Sequence, residues 1–504
     1  MSELDDLRAE IRNLTEDMVR LLGRRLEVAR RIGGVKMRHG MGIVDVRAEE
    51  ELRSHILGMC DALSLDRSFV NRILNLLFAE STRVQMAMQE MSSEGGGGRE
   101  GKSKEMEGTA AATTTTATAT IAPPTGDGSA SRVRPVDVFL KARMLERSGR
   151  EMIHLEIGEP RLHIPSRVRD SLIDALDRGR YHYTESKGIE ELRSSIALML
   201  NSRYGASVTK DEVIVTPGGR FAIYLAMLAL LRPGDEVVII EPAWPAYTDI
   251  AEFIGARVRR LSTNLEDGWD VDVGRLKGML NGSTRMIILN YPNNPTGKII
   301  GRDTLDSIVD VARSRRGVVL LSDEVYADLA FKEFRSILSY GSDDMVMVSS
   351  FSKGPSMTGF RVGYAAAPKP IIDEMGRLQS MMLTCVAEPI QYSALAALSS
   401  MDDVGRNAMI IRSRLDMICR RMESMPVSFH RPDGAMYVFA RIDVECSMSR
   451  LFDTLLERGV AVAPGSGFGS CYERFIRISA GQDERLLSRG LDVIGGVLEE
   501  MSKR

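Results

Sequence analysis

Apolar residues recur at steps of three and four along the start of the chain: Leu4, Leu7, Ile11, Leu14, Met18 and Leu21, then Val28, Ile32 and Val35. This spacing predicts a single long helix from about Leu4 to Met37, with Gly33-Gly34 weakening its end. One place on the stripe is filled by Arg25, and Lys36 follows Ile32 at helical spacing. A second helix is predicted through Leu52, Ile56, Met59 and Leu63, with Asp45 and Glu49 on the same stripe. A third runs through Val70, Leu74, Leu77, Val84 and Met88 and carries Ser81 and Gln85 on its stripe. Three helices give a thin core for one copy of the chain, so the pattern predicts a dimer.

The pattern stops near residue 92. The text "SSEGGGGREGKSKEMEGTAAATTTTATATIAPPTGDGSAS" has almost nothing to bury and reads as a flexible tether over 92–131. Beyond it, short apolar runs alternate with helical stretches. "EVIVT" (212–216), "EVVII" (236–240), "RMIILN" (285–290), "GVVLLS" (317–322) and "MVMVSS" (345–350) predict a mainly parallel sheet covered on both faces. "FAIYLAMLALL" (221–231) is too short to span a bilayer and reads as a buried helix. Short strands "MYVFARI" (436–442) and "RFIRIS" (474–479) among helices predict a smaller α+β domain. The expected organisation is 1–91 helical, 92–131 tether and 132–504 α/β, with a large domain over about 181–374 and a small one built from its flanks.

Composition narrows the function. The 504 residues carry a formal net charge of −3, which gives no electrostatic footprint for nucleic acid. The cysteines Cys60, Cys385, Cys419, Cys446 and Cys471 are scattered without CxxC pairing, so neither a disulfide framework nor a zinc site is expected. "MSELDDLRAEIR" is acidic and amphipathic, unlike a signal peptide. The expectation is a cytoplasmic protein without membrane or nucleic-acid partners and without a metal.

Polar groups on inner helical stripes need explaining, because an unpaired buried charge costs several kcal/mol. Arg25, Lys36, Asp45, Glu49, Ser81 and Gln85 come from three helices and face one interior. Together they predict a pocket for a small anion, with the Arg25 guanidinium fork on a ligand carboxylate. In the α/β part, "VTPGGRFAIYLAM" (215–227) is a strand, a glycine turn and a helix start, which makes an anion site. "ILNYPNNPTGK", "LLSDEVYADL" and "SSFSKGPSMTGFRVGY" each follow a strand, so their Asn, Asp, Tyr, Ser, Lys and Arg converge on one sheet edge. "SFSK" lacks the companion elements of penicillin-binding serine enzymes, and no P-loop motif is present.

The N-terminal residues resemble the all-helical chorismate mutases through "LRAEI" with Arg8, "RRLEVARRIGGVK", "IVDVRAEEEL" and "AESTRVQ". That resemblance implies isomerisation of chorismate to prephenate. Arg25 would bind one substrate carboxylate and Arg8 of a second subunit the other. Lys36 and Gln85 would reach the ether oxygen and Glu49 the ring hydroxyl, with Asp45 and Ser81 also on the substrate. The arginine that the family places just before this glutamate is Ala48 here, with Arg47 one position earlier.

The remainder resembles the fold-type I pyridoxal-phosphate aminotransferases through "NNPTG", "SDEVY" and "SFSKGPSMTGFRVG" in that order. By that resemblance Lys353 forms the Schiff base with pyridoxal 5′-phosphate and Asp323 pairs with the pyridine N–H. Asn294 and Tyr326 would bond the ring oxygen and Trp244 would stack on the ring. Gly219, Arg220, Ser350 and Arg361 would hold the phosphate, joined by Tyr183 from a neighbouring subunit. Arg477, with Gly158 beside it, would clamp the substrate α-carboxylate. Arg161, His163 and Lys187 are further cations considered for a substrate side chain.

The combined expectation is a bifunctional enzyme of aromatic amino acid biosynthesis. It would be a chorismate mutase joined to an aminotransferase that moves an amino group between glutamate or aspartate and prephenate or an aromatic keto acid. The competing expectation is a general, aspartate-type aminotransferase with a non-catalytic dimerisation or effector-sensing module in front.

Overall fold

The computed structural model describes residues 2–38, 46–60, 62–63, 65, 70, 73–74, 77–78, 81, 135–341 and 343–503. The chain divides into two compact units, Met1–Ile121 and Ala122–Arg504.

In the first unit, α1 spans Ser2–Arg38 and α2 spans Val46–Met59. Val70, Ile73, Leu74, Leu77, Phe78 and Ser81 are also helical. Asp45, Val84, Gln85, Met88, the side chains of Leu4 and Glu49, and the whole 92–131 stretch lie outside the described residues. The face that α1 packs differs from the one its stripe predicts. Leu7, Ile11, Leu14, Met18, Leu21, Val28, Ile32 and Val35 are each 44% or more exposed. Ala29 and Gly33 are the buried positions, flanked by half-buried Arg25 and Lys36. At 100° per residue Val28 and Ile32 lie roughly 60–140° around the helix from Ala29 and Gly33. The buried line of α1 is therefore one of small residues, and the aliphatic stripe beside it is exposed.

Among the described residues of this unit the buried apolar side chains are Ala29, Cys60, Leu74 and Phe78. Arg25 lies over this small core. Its Nη1 donates to Leu77 O at 2.8 Å and to Ser81 Oγ at 2.6 Å. Its guanidinium sits 5.8 Å from the Phe78 ring, and that of Arg53 sits 5.2 Å away.

The second unit is built on a seven-stranded sheet. In chain order its strands are β2 (Val213–Thr216), β3 (Glu236–Glu241), β4 (Arg257–Ser262), β5 (Thr284–Asn290), β6 (Val319–Asp323), β7 (Met345–Ser350) and β8 (Gly363–Ala366). The order across the sheet is β2-β8-β7-β6-β5-β3-β4, with β8 alone antiparallel to its neighbours. Alternate residues feed two cores. Val238, Ile287 and Leu320 join the helices Glu190–Tyr204 and Arg302–Arg313, while Val237, Ile288 and Leu321 join the helix Gly219–Leu230. That two-sided burial is why these strands read as unbroken apolar runs.

A smaller antiparallel sheet has the order β12-β13-β10-β9, from β9 (Val427–Phe429), β10 (Tyr437–Ile442), β12 (Ala463–Pro464) and β13 (Phe475–Ser479). It packs with the helices Met401–Met422 and Glu484–Ser502. A two-residue parallel pair, β1 (Ile153–His154) with β11 (Val460–Ala461), completes the fold. No described helix is long and apolar enough to cross a membrane.

Phe78 is one of the few buried apolar side chains among the described residues of the first unit, and Phe78→Ala is expected to cost about 3–5 kcal/mol there. Calorimetry should show the transition of that unit lowered or lost, with the transition of the second unit unchanged.

Candidate active site

Three neighbouring parallel strands end in a polar residue: Asn290 closes β5, Asp323 closes β6 and Ser350 closes β7. Apolar side chains fill most of each strand, with Ser322 and Ser349 polar just before the ends of β6 and β7. The polar terminus then emerges at the carboxyl edge, where α/β sheets bind ligands. Asn290 and Asp323 are register partners, and Asn290 Nδ2 donates to Asp323 O at 2.9 Å.

Asp323 is buried, and burial pushes its carboxyl up to about 6. Donors oppose that rise: Tyr247 Oη at 2.5 Å from Oδ2 and the Val325 N–H at 3.3 Å from Oδ1. The charge of Lys353 acts in the same direction. Burial, then Asp323, hold the Tyr247 hydroxyl well above the usual phenol range, so it remains a donor.

From Asn290 a chain of bonds crosses to the small sheet. Asn290 Oδ1 accepts from the Asn294 N–H at 2.9 Å, and Asn294 Oδ1 accepts from Arg477 Nη1 at 2.9 Å. Arg477 stands on β13, and its Nη2 donates to Glu156 O. Its guanidinium lies 4.4 Å over the Tyr437 ring and 5.0 Å from that of Phe468. Tyr437 in turn shares a hydrogen bond of 2.7 Å with Tyr326. Lys353 Nζ donates to Gly158 O at 2.5 Å. Position 158 has no room for a side chain, because a Cβ there would run into the Tyr437 hydroxyl.

The other end of the cleft is cationic. Gly218, at φ 88°, turns the chain into the helix Gly219–Leu230, and a Cβ on it would lie 2.5 Å from Arg361 Nη2. Arg220 stacks 4.7 Å over Trp244. Burial and then the nearby Arg361 push its guanidinium below its ordinary range, the signature of two cations at one place. Ser350 Oγ bonds Ser352 Oγ at 2.8 Å in the same wall.

Eleven of the sequence-predicted residues line one cleft of about 420 Å³: Gly158, Gly219, Arg220, Trp244, Asn294, Asp323, Tyr326, Ser350, Lys353, Arg361 and Arg477. Tyr183 does not, and is 86% exposed. Arg161 and His163 are exposed and lie outside the cleft, and Lys187 is paired with Asp373 at 2.7 Å. None of those three faces a substrate in this chain's cleft. Asn290, Tyr247 and Tyr437 line it and were not anticipated. Asn290 at the end of "RMIILN" had a readable signal, being a polar residue closing an apolar strand. In the first unit Arg25 and Ser81 are brought together as predicted, Lys36 is half-buried and Arg8 is exposed.

The geometry makes Tyr247 the group that keeps Asp323 ionisable. In cofactor-free protein, Asp323 is protonated below about 6 and ionised above it. Tyr247→Phe removes a donor that favours the charged form, so the midpoint is expected to rise further. Carboxyl carbon NMR of the native and variant proteins checks this; an unchanged or lower midpoint would contradict it.

Comparison with known proteins gives two matches along the chain. The family model "Aminotransferase class I and II" matches residues 150–494, and "Chorismate mutase type II" matches residues 7–86. An aspartate aminotransferase of Thermotoga maritima is 34% identical over 369 residues, 72% of this chain and 95% of that protein. An aspartate/prephenate aminotransferase of Thermus thermophilus is 32% identical over 371 residues, again 72% and 95%. Among solved structures, the Thermotoga maritima aspartate aminotransferase superposes with a TM-score of 0.69 at 33% identity, covering 73% of this chain and 98% of that one. That of Rhizobium meliloti gives 0.70 at 27% identity, covering 74% and 98%.

Class I and II aminotransferases use pyridoxal 5′-phosphate, and the cleft fits it. Two guanidinium groups suit a phosphate, a buried carboxyl suits a ring N–H, and one amine stands between them. The buried Arg477 Nε has no hydrogen-bond partner, which suits an arriving carboxylate. The chain belongs to the class I and II aminotransferases, pyridoxal-phosphate enzymes, and carries a chorismate mutase type II domain ahead of its transferase part.

Proposed function

We propose that the chain is a bifunctional enzyme of aromatic amino acid biosynthesis. Its first unit converts chorismate to prephenate. Its second transfers an amino group from glutamate or aspartate to prephenate or to phenylpyruvate or 4-hydroxyphenylpyruvate. The observation that carries the reading is the common cleft of Lys353, Asp323 and Arg477 in a chain with a chorismate mutase domain. The Thermus thermophilus relative named for both aspartate and prephenate supports this choice of acceptor.

Bound pyridoxal phosphate supplies an electron-withdrawing ring to the substrate's α-carbon. Lys353 would hold it covalently, with Asp323 on the ring nitrogen, Asn294 and Tyr326 on the ring oxygen and Trp244 on the ring face. Gly219, Arg220, Ser350 and Arg361 would hold its phosphate. Arg477 binds the substrate α-carboxylate, and Asn294, already on its Nη1, fixes the fork in place. Gly158, lacking a side chain, leaves space there. Lys353 Nζ would be the base that takes the proton from the substrate's α-carbon and returns it from the same side.

In the first unit, Arg25 would bind one chorismate carboxylate and Arg8 of a second copy the other. Lys36 and Gln85 would donate to the ether oxygen as it gains charge, and Glu49, Asp45 and Ser81 would fix the ring. The active form would be a cytoplasmic homodimer. In one copy the eight aliphatic side chains from Leu7 to Val35 on α1 remain exposed along one stripe, an apolar area suited to an identical helix. The exposure of Tyr183 supports the same assembly, with this residue reaching a second copy's phosphate.

Two tests follow. Arg25→Met is expected to lower chorismate turnover by roughly a hundredfold or more. In that variant Ser81 Oγ keeps its own bond to Leu77 O at 2.7 Å, and the melting of the unit is measured alongside turnover. Chorismate turnover by the native chain at no more than the uncatalysed rate would favour a sensing module. For the transferase, borohydride should fix cofactor onto native protein and not onto Lys353→Ala. A panel of keto acids offered to the aminated holoenzyme should react fastest with prephenate or the aromatic acids; equal rates for all would defeat the aromatic assignment.

A further inference from the structure

Behind Arg477 lies a cluster that the cleft chemistry does not use. His154 and Glu156 are both buried, on the segment that runs from β1 into the cleft. His154 Nδ1 is 2.7 Å from Glu156 Oε1, and its Nε2 is 2.9 Å from Glu146 Oε1. Glu146 comes from a separate element, the helix Pro135–Arg147, and its other oxygen accepts from Arg143 at 2.8 Å. Nδ1 is thus hydrogen-bonded to one carboxylate and Nε2 stands at ion-pair distance from a second without hydrogen-bond geometry, which favours a ring carrying both protons.

The same segment supplies two main-chain carbonyls to the cleft. Glu156 O accepts from Arg477 Nη2 and Gly158 O accepts from Lys353 Nζ. Backbone pairing does little to fix them. β1 has two residues, and the sheet-like bonds end with Leu155, whose N–H reaches Ala461 O and whose carbonyl accepts from Ser479 N. Beyond that point the Glu156 side chain adds an anchor, with its Oε1 against His154 Nδ1.

We propose that His154, as an imidazolium clamped between Glu156 and Glu146, is a positioning residue for Arg477 that sets how tightly the enzyme holds substrate carboxylates. The proposal rests on the reading of Arg477 as the carboxylate clamp. The Glu156 bond, then the other carboxylate, raise the His154 titration above its ordinary 6.5, against burial. Glu146 and Glu156 are the titratable groups that face the ring, with Arg143 behind Glu146. Gln482, which donates to His154 O at 3.1 Å, is neutral. A histidine raised in this way keeps its clamp at low pH and loses it as pH climbs through the raised value.

The test uses the holoenzyme. His154→Gln is expected to raise KM for the amino donor and the keto acid about tenfold, with kcat within about threefold of native. Cofactor content and its absorbance should not change. Glu146→Gln, on a half-exposed residue, should act in the same direction and serves if His154→Gln does not fold. In native protein the histidine NMR signal missing from the variant should titrate above the ordinary imidazole value, and KM should rise over the pH range where it titrates. Native KM values in both variants, or a KM indifferent to that titration, would overturn the proposal. Native protein that borohydride cannot label at Lys353 would instead overturn the reading of the cleft.

Discussion

A carboxylate stripped of water must be met by donors or surrender to a proton, and Asp323 is where the second unit meets that condition. It closes the central strand of the sheet, buried, with its ionised form supported by the Tyr247 hydroxyl and the Val325 N–H. Much of the cleft is arranged around this point. Asn290, its register partner, holds the Asp323 carbonyl with one end of its amide and the Asn294 N–H with the other. Asn294 then reaches Arg477 on the other sheet. Displacing the end of β6 would therefore disturb groups on both sheets at once.

Much of this was readable in the chain itself, and the reason is burial. β2, β3, β5, β6 and β7 are covered on both faces, so they stand out as apolar runs, and the polar residues that end them mark the ligand edge. β4 escaped notice because "RVRRLS" is an edge strand with three arginines, and β8 because "GYAA" is only four residues long, three of them small. Tyr247 and Tyr437 carry no local signal. Their significance comes from what stands opposite, Asp323 for one and Tyr326 for the other, and neither neighbour is close in sequence. Lys187 illustrates the reverse error: a cation near a motif looked useful, and Asp373 had already claimed it.

The first unit taught a different lesson. The period of α1 identified a helix with an apolar stripe, yet periodicity cannot say which surface the stripe will meet. Within one copy, the buried positions are Ala29 and Gly33, whose small size suits close approach of a neighbour. The aliphatic residues beside them remain in water. Arg25 is held beside those buried positions by a carbonyl and a hydroxyl, two neutral acceptors.

The fit between positions 158 and 437 reaches beyond sterics. The Tyr437 hydroxyl fills the volume that any Cβ at 158 would need, while also serving as the partner of Tyr326. The two sites are thus not free to vary one at a time: a chain that acquired alanine at 158 would have to surrender the phenol, and Tyr326 would then need a new neighbour. Substitutions here should be strongly epistatic, each harmful alone and tolerated as a pair.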